Sequence, residues 1–191
     1  MKLPAEATIN AGFPRSESAL HWCPVGLHNT GSCPNLMLYF AYGSNMDPSQ
    51  MRQRCPSAQF VMIAKLPDHR LAFTRHAKDR DCGTCDGVPE PGQAIWGVVF
   101  DLSESDLRRM DESEGYQAGR PLDANAYVRH QREVYRDGNQ AEPLTVWLYF
   151  ANRQPNPPLP NVAYKQQLVD GAKFWRLPQE YQAQIAGIKT T

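Results

Sequence analysis

The stretch Leu36-Met37-Leu38-Tyr39-Phe40-Ala41-Tyr42-Gly43-Ser44-Asn45 decides how this chain is read. Its first seven residues are an unbroken apolar run that stops at a glycine, the pattern of a strand covered on both faces. Asp47 and Pro48 follow at once, with Gln50 three residues after Asp47. An Asp at the N-cap accepts backbone N–H bonds, and Pro suits the first helical position because its missing N–H has no partner there anyway. Residues 36–50 therefore predict a strand, a glycine turn and a helix. The glycine permits close backbone approach, and the amides after it point outward, which suits a carboxylate or a developing oxyanion. Gly, Ser and Asn are also ordinary connection residues, so composition alone leaves both roles open.

Working outward, Phe60–Ala64 and Arg70–Thr74 are strand candidates separated by Pro67-Asp68. The Gly and Asp content from Arg75 to Gly92 predicts a loop, and Ala94–Phe100 predicts a second buried strand. Ser103 is placed to cap a helix that carries Leu107 and Met110 on one face and ends in Asp111-Glu112-Ser113-Glu114-Gly115. Tyr127–Tyr135 alternates like a half-buried strand, although His130 and Arg132 fall on the face of Val128 and Val134. Leu144–Phe150 is a stronger strand, and Pro155, Pro157, Pro158 and Pro160 form a stiff connector. Helical spacing returns with Tyr164 and Leu168, then with Tyr181, Ile185 and Ile188 after Pro178. Upstream, residues 1–35 carry Pro4, Pro14, Pro24 and Pro34 without periodicity and read as an irregular extension. The reading is one α+β domain over 36–191, a small mixed β-barrel or curved sheet with flanking helices.

Composition narrows the partners. Twenty basic residues balance twenty acidic ones, so no global field recruits nucleic acid or an anionic membrane, and a small or uncharged partner is expected. No apolar run approaches the roughly 20 residues of a membrane span. Leu3-Pro4-Ala5-Glu6-Ala7-Thr8 lacks a signal-peptide core, so a cytoplasmic protein is expected. The five cysteines are Cys23, Cys33, Cys55, Cys82 and Cys85. Cys82 and Cys85 have the spacing of a metal clip or redox pair, and plain thiols, a loop disulfide or a zinc site completed by Cys23 and Cys33 stay open. His69, His76 and His130 have no partner at ligand spacing and read as surface or loop residues. Trp96 and Trp147 read as core.

Glu114 closes an acidic cluster at a helix C-terminus, where the macrodipole disfavours negative charge. If it is also buried, its pKa rises toward the range useful for moving protons. A solvated acidic helix end terminated by Gly115 fits the same residues, and residue chemistry leaves both open.

Three blocks in order resemble the γ-glutamylcyclotransferase family. They are Leu38 to Met46, then Ile95-Trp96-Gly97-Val98-Val99-Phe100 leading into Met110 to Gly115, then Tyr164 to Ile188 with Asp170-Gly171-Ala172-Lys173 and Leu177-Pro178-Gln179-Glu180-Tyr181. Arg54-Cys55-Pro56-Ser57-Ala58 also fits. The resemblance implies a small mixed barrel with flanking helices, and an intramolecular cyclisation that frees 5-oxoproline from a γ-glutamyl amide without metal or cofactor. It implies that Glu114 is the catalytic acid/base. It further implies a γ-glutamyl pocket formed by Tyr39, Phe40, Ala41, Tyr42, Gly43, Ser44 and Asn45, with Tyr127 and Tyr164 beside it. A small γ-glutamyl compound is then the partner, and the protein is a monomer or homodimer.

Four features depart from the animal enzymes: the His76–Gly92 segment with its Cys pair, a longer stretch over Gln117–Asn125, Leu148 followed by Tyr149 where those enzymes carry a Tyr, and the 35-residue leader, which has no counterpart. Two neighbouring activities share the γ-glutamyl half, a γ-glutamylamine cyclotransferase and a pathway enzyme that removes a γ-glutamyl protecting group. A non-catalytic binding or stress-response module on the same fold is the alternative of a different class.

Overall fold

The apolar run becomes strand β1 (Met37–Ala41), with Tyr39, Phe40 and Ala41 almost wholly inaccessible. The computed structural model describes residues 37–139 and 142–191, so the segment read as an N-terminal extension lies outside the described residues. A 3-10 turn (Ser44–Met46) leads from β1 into helix α1 (Pro48–Arg54). Asp47 caps α1 as its position predicts, Oδ1 accepting from Ser49 N at 2.7 Å and Gln50 N at 3.2 Å. Two long strands follow, β2 (Gln59–Ala77) and β3 (Cys82–Leu102), then helix α2 (Glu104–Ser113), whose first turn is capped by Ser103 Oγ accepting from Asp106 N. Strands β4 (Tyr127–Arg136) and β5 (Pro143–Ala151) and helices α3 (Val162–Phe174) and α4 (Gln179–Ala186) complete the order.

Among the described residues the strands close into a barrel in the order β1-β3-β2-β4-β5. The ring is sealed by β5 meeting β1 in parallel at Trp147 and Tyr39. Closure leaves no open edge, which separates a barrel from the curved sheet that the sequence also allowed.

The largest correction concerns residues 75–92. They are not a loop: β2 and β3 pair antiparallel from Gln59↔Asp101 out to Ala77↔Cys82, leaving a tight turn at 78–81. Glycine and proline lower strand propensity, but cross-strand pairing satisfies the backbone of both arms, and that tertiary gain prevails. Pro67-Asp68 does not separate two strands either. The ladder shifts register between Pro67 and His69, and Asp68 sits at φ 52°. A bulge absorbs the proline's missing donor within one continuous strand.

The uneven pattern of β4 has a packing cause. Val128 and Val134 are buried, while the His130 ring lies 5.6 Å and the Arg132 guanidinium 5.4 Å from the Phe150 ring. The His69 ring stacks on Phe150 as well, at 5.3 Å and 2° between planes. His69 and His130 are therefore half-buried strand residues rather than surface or loop positions. Trp96 packs against the core as expected, whereas Trp147 is half-buried under the Arg129 guanidinium at 4.7 Å.

Helix α3 fixes the turn after β1. Trp175, just past its end, donates Nε1–H to Met46 O at 2.7 Å. Gly171 brings the helix so close that a Cβ there would stand 2.8 Å from Met46 Cβ.

Candidate active site

Helix α2 ends by a route that aims one side chain inward. Tyr116 N bonds Asp111 O at 2.8 Å and Gly115 N bonds Glu112 O at 3.1 Å, with Gly115 at φ 64°. This paired 6→1 and 5→2 closure needs a left-handed residue, so Gly115 is where a side chain would strain the backbone. Glu114 is the C-cap, and its carbonyl accepts from Tyr127 N at 3.2 Å, tying the knuckle to the start of β4.

The Glu114 side chain is 14% exposed. Its Oε1 accepts from Asn45 Nδ2 at 2.9 Å and from Arg54 at 3.0 Å. Both bonds from described residues fall on that one oxygen. Burial pushes the Glu114 pKa above the ordinary carboxylate value, and the Arg54 charge and the Asn45 bond pull against the rise. Asn45 is held from several sides: Nδ2 also reaches Tyr39 OH at 2.7 Å, and Oδ1 accepts from Gln50 at 2.9 Å and Arg54 at 2.8 Å. Gln50 and Arg54 lie one turn apart on α1, so the capped helix presents both to the turn that precedes it.

Glu114, Asn45 and Arg54 form one wall of a cavity of about 130 Å³. Tyr39, Tyr42, Gly43, Ser44, Tyr127 and Tyr164 also reach it. The longer Gln117–Asn125 stretch does not displace Tyr127, whose hydroxyl lies 2.9 Å from Thr84 Oγ1 and 3.0 Å from Cys85 O. Tyr164 OH accepts from Cys85 N at 3.2 Å. Tyr42 OH accepts from Gly87 N and donates to Tyr149 O, which pins the end of β1 across the barrel. Burial raises the pKa of Tyr39, Tyr42, Tyr127 and Tyr164, so these phenols stay neutral. Phe40 and Ala41 do not line the cavity. Both are fully buried, and Phe40 stacks at 6.1 Å on Tyr42, so they support the pocket from behind.

Several cavity residues escaped the sequence reading. Arg54 had a signal, its i,i+4 relation to Gln50 directly after the Gly-Ser-Asn turn. Thr84, Cys85 and Arg80 had none, because only the β2–β3 hairpin brings them to β1. Tyr149 lines the cavity and donates its hydroxyl to Asp111 Oδ1 at 2.7 Å. Cys82 and Cys85 are buried free thiols rather than a disulfide, and burial pushes Cys85 up to about 12. Cys23 and Cys33 lie outside the described residues. Among the described residues no three His, Cys, Asp or Glu side chains are grouped to hold a metal.

A largely buried carboxylate bonded to the turn after β1, in a small polar cavity on a closed barrel, defines an enzyme pocket for a small substrate. The family model for gamma-glutamyl cyclotransferase, AIG2-like, matches residues 39–170. The chain is 32% identical over 166 residues to the gamma-glutamylcyclotransferase of Homo sapiens, covering 84% of this chain and 82% of that protein. It is 34% identical over 158 residues to that of Mus musculus, covering 80% and 78%. A solved structure titled gamma-glutamyl cyclotransferase superposes with a TM-score of 0.71 at 31% identity, covering 81% of this chain and 89% of that one. The chain belongs to the gamma-glutamyl cyclotransferase, AIG2-like family.

Proposed function

We propose that this protein cyclises γ-glutamyl amides, of amino acids or dipeptides, to 5-oxoproline and the free amine, with Glu114 as general acid/base. The observation that carries the reading is Glu114 itself, a largely buried carboxylate with raised pKa whose two bonds use one oxygen while the side chain lines the cavity. Family membership supports the reaction class.

The chemistry asks little of the protein. The substrate's own α-amine attacks its γ-carbonyl: one C–N bond closes a five-membered ring, and the original amide C–N bond breaks. Holding that conformer is worth much, because effective molarities for well-oriented closures reach roughly 10⁵ M or more. Glu114 takes the proton from the α-ammonium or amine and returns it to the leaving nitrogen, so no proton or water is consumed overall. A carboxylate with a raised pKa is better matched to both transfers. Asn45 and Arg54 fix the direction of the carboxylate. The Ser44 and Asn45 amides precede the first backbone bonds of the 3-10 turn, which run from Met46 N to Gly43 O and from Asp47 N to Ser44 O. They are suited to the developing oxyanion or the glutamyl α-carboxylate. Tyr39, Tyr42, Tyr127 and Tyr164 line the substrate cavity as neutral walls. The protein acts on a small molecule without metal, cofactor or nucleic acid, in the cytoplasm and as a monomer or homodimer.

The test is 5-oxoproline release from γ-glutamyl-alanine, γ-glutamyl-ε-lysine, glutathione and a γ-glutamyl-protected pathway mimic, with native protein and Glu114→Gln. Release that vanishes in the folded Gln variant supports the reading. Release that survives the substitution would remove Glu114 from its role. No release from any substrate would favour a binding module.

A further inference from the structure

The tip of the β2–β3 hairpin carries an arginine that the reaction as described does not use. Arg80 lines the cavity and two shallow depressions beside it, one shared with Tyr164 and the other with Arg54 and Ser113. Its guanidinium is held by neutral groups: NH2 donates to Gln50 Oε1 at 2.7 Å, NH1 donates to Gln167 Oε1 at 2.9 Å, and the plane lies 5.2 Å over the Tyr164 ring. No acid among the described residues pairs with it. Arg54 differs, because the Glu114 carboxylate already compensates it at 3.0 Å. Asp79, the other acid at the cavity, is exposed and carried on the same turn. The cavity thus holds a positioned, half-buried cation whose charge is felt at Glu114 but is not neutralised there.

We propose that Arg80 selects the leaving amine by binding a carboxylate that this amine carries, as an α-amino acid does. The inference rests on the cyclisation reading above and adds the identity of the amine end. A guanidinium braced by amides has its rotamer entropy removed in advance and presents its remaining N–H groups as a fork that matches a carboxylate. Two features place this fork at the leaving-group end. Glu114 must reach the scissile nitrogen, and the β1 turn with its amides occupies the glutamyl end. Arg80 also lines the two open depressions beside the cavity, where a chain leaving that nitrogen would lie. The link Arg80–Gln50–Asn45–Glu114 also fixes the distance between the selecting group and the proton-transfer group through three side-chain bonds.

The experiment compares γ-glutamyl-alanine with γ-glutamyl-alaninamide, which differ only in the leaving group's carboxylate. In native protein kcat/KM for 5-oxoproline release should favour the acid by about 10- to 100-fold, the range for one charge-assisted hydrogen-bond pair. In Arg80→Met the ratio should collapse to within about threefold of unity, and Arg80→Lys, which keeps charge but not the fork, should retain part of it. Removing Arg80 also lifts the Glu114 pKa, but that effect is common to both substrates and cancels in the ratio. Thermal melting of both variants checks the fold, and were Arg80→Met unfolded, the native preference and the Lys variant would decide. Equal losses on both substrates would overturn the proposal, since Arg80 would then serve the glutamyl carboxylate or merely brace Gln50. A native enzyme without preference, or a ratio that survives Arg80→Met, would overturn it too. Release from neither substrate would overturn the cyclisation reading together with this one, whereas release without a carboxylate preference defeats this one alone.

Discussion

Two carboxylates withdrawn from solvent are treated in opposite ways. Asp86, on β3, is fully inaccessible and spends both oxygens: Oδ1 accepts from Ala151 N at 3.0 Å, and Oδ2 accepts from Thr74 Oγ1 at 3.0 Å and Arg153 Nε at 2.8 Å. Glu114 takes its two bonds on one oxygen and lines a cavity. The first stitches β2, β3 and β5 together, and its charge is consumed by structure. The second is positioned yet only part-satisfied, which is the condition for handling a substrate's proton. The count of bonds per oxygen separates the two roles.

The contrast breaks most sharply at Glu114. Glu114→Gln should lower kcat by about 10²- to 10⁴-fold, the usual worth of a general acid/base, with the fold intact in circular dichroism and melting. The same change at the other carboxylate should do the reverse. Asp86→Asn is expected to cost about 2 kcal/mol, since its bonds are charge-assisted although Arg153 is half exposed. For a chain of this size that is a melting point lower by about 4–8 °C, with kcat of the folded protein changed by less than about threefold. An activity loss as large as that of the Glu114 variant would erase the distinction.

Arg54→Met tests what holds Glu114 in its state. Arg54 lowers the Glu114 pKa against the rise from burial, so removing it destabilises the carboxylate and raises that pKa further. The acid limb of kcat/KM should therefore move to higher pH, with activity at pH 7 down about tenfold, roughly one charge-assisted hydrogen bond. A limb moving to lower pH would contradict the assignment. Tyr149→Phe is the mildest change. It removes the bond to Asp111, which still keeps Arg129 at 2.8 Å, and should cost about 1 kcal/mol, visible as a small fall in melting point.

Much of this was legible in the residues, for local reasons. The apolar run ending at Gly43, the Asp47-Pro48 start and the Ser103 cap are short-range signals, and each takes its expected place. Glu114 and Asn45 are 69 residues apart, and their meeting at 2.9 Å was accessible only through resemblance, not through spacing. The β2–β3 hairpin was illegible because its evidence is cross-strand: Pro67-Asp68 reads as a break and forms a bulge, and the stretch over 75–92 reads as a loop and forms both arms. Arg80 was lost with it. Phe40 and Ala41 were assigned to the pocket as part of a contiguous block, whereas their side chains are buried in the core behind it.

The turn at 78–81 joins two strands that stay paired right up to Ala77 and Cys82. Its four residues form no rung of the barrel, whereas the turn after β1 is clamped by α3, capped by Asp47 and bonded to Glu114. On the proposal above, the residue that reads the amine and the residue that moves the proton lie on different pieces of chain, joined by the Arg80–Gln50–Asn45–Glu114 link. On that proposal, varying a hairpin tip would change which amine is released alongside 5-oxoproline, while the ring-closing end is left in place.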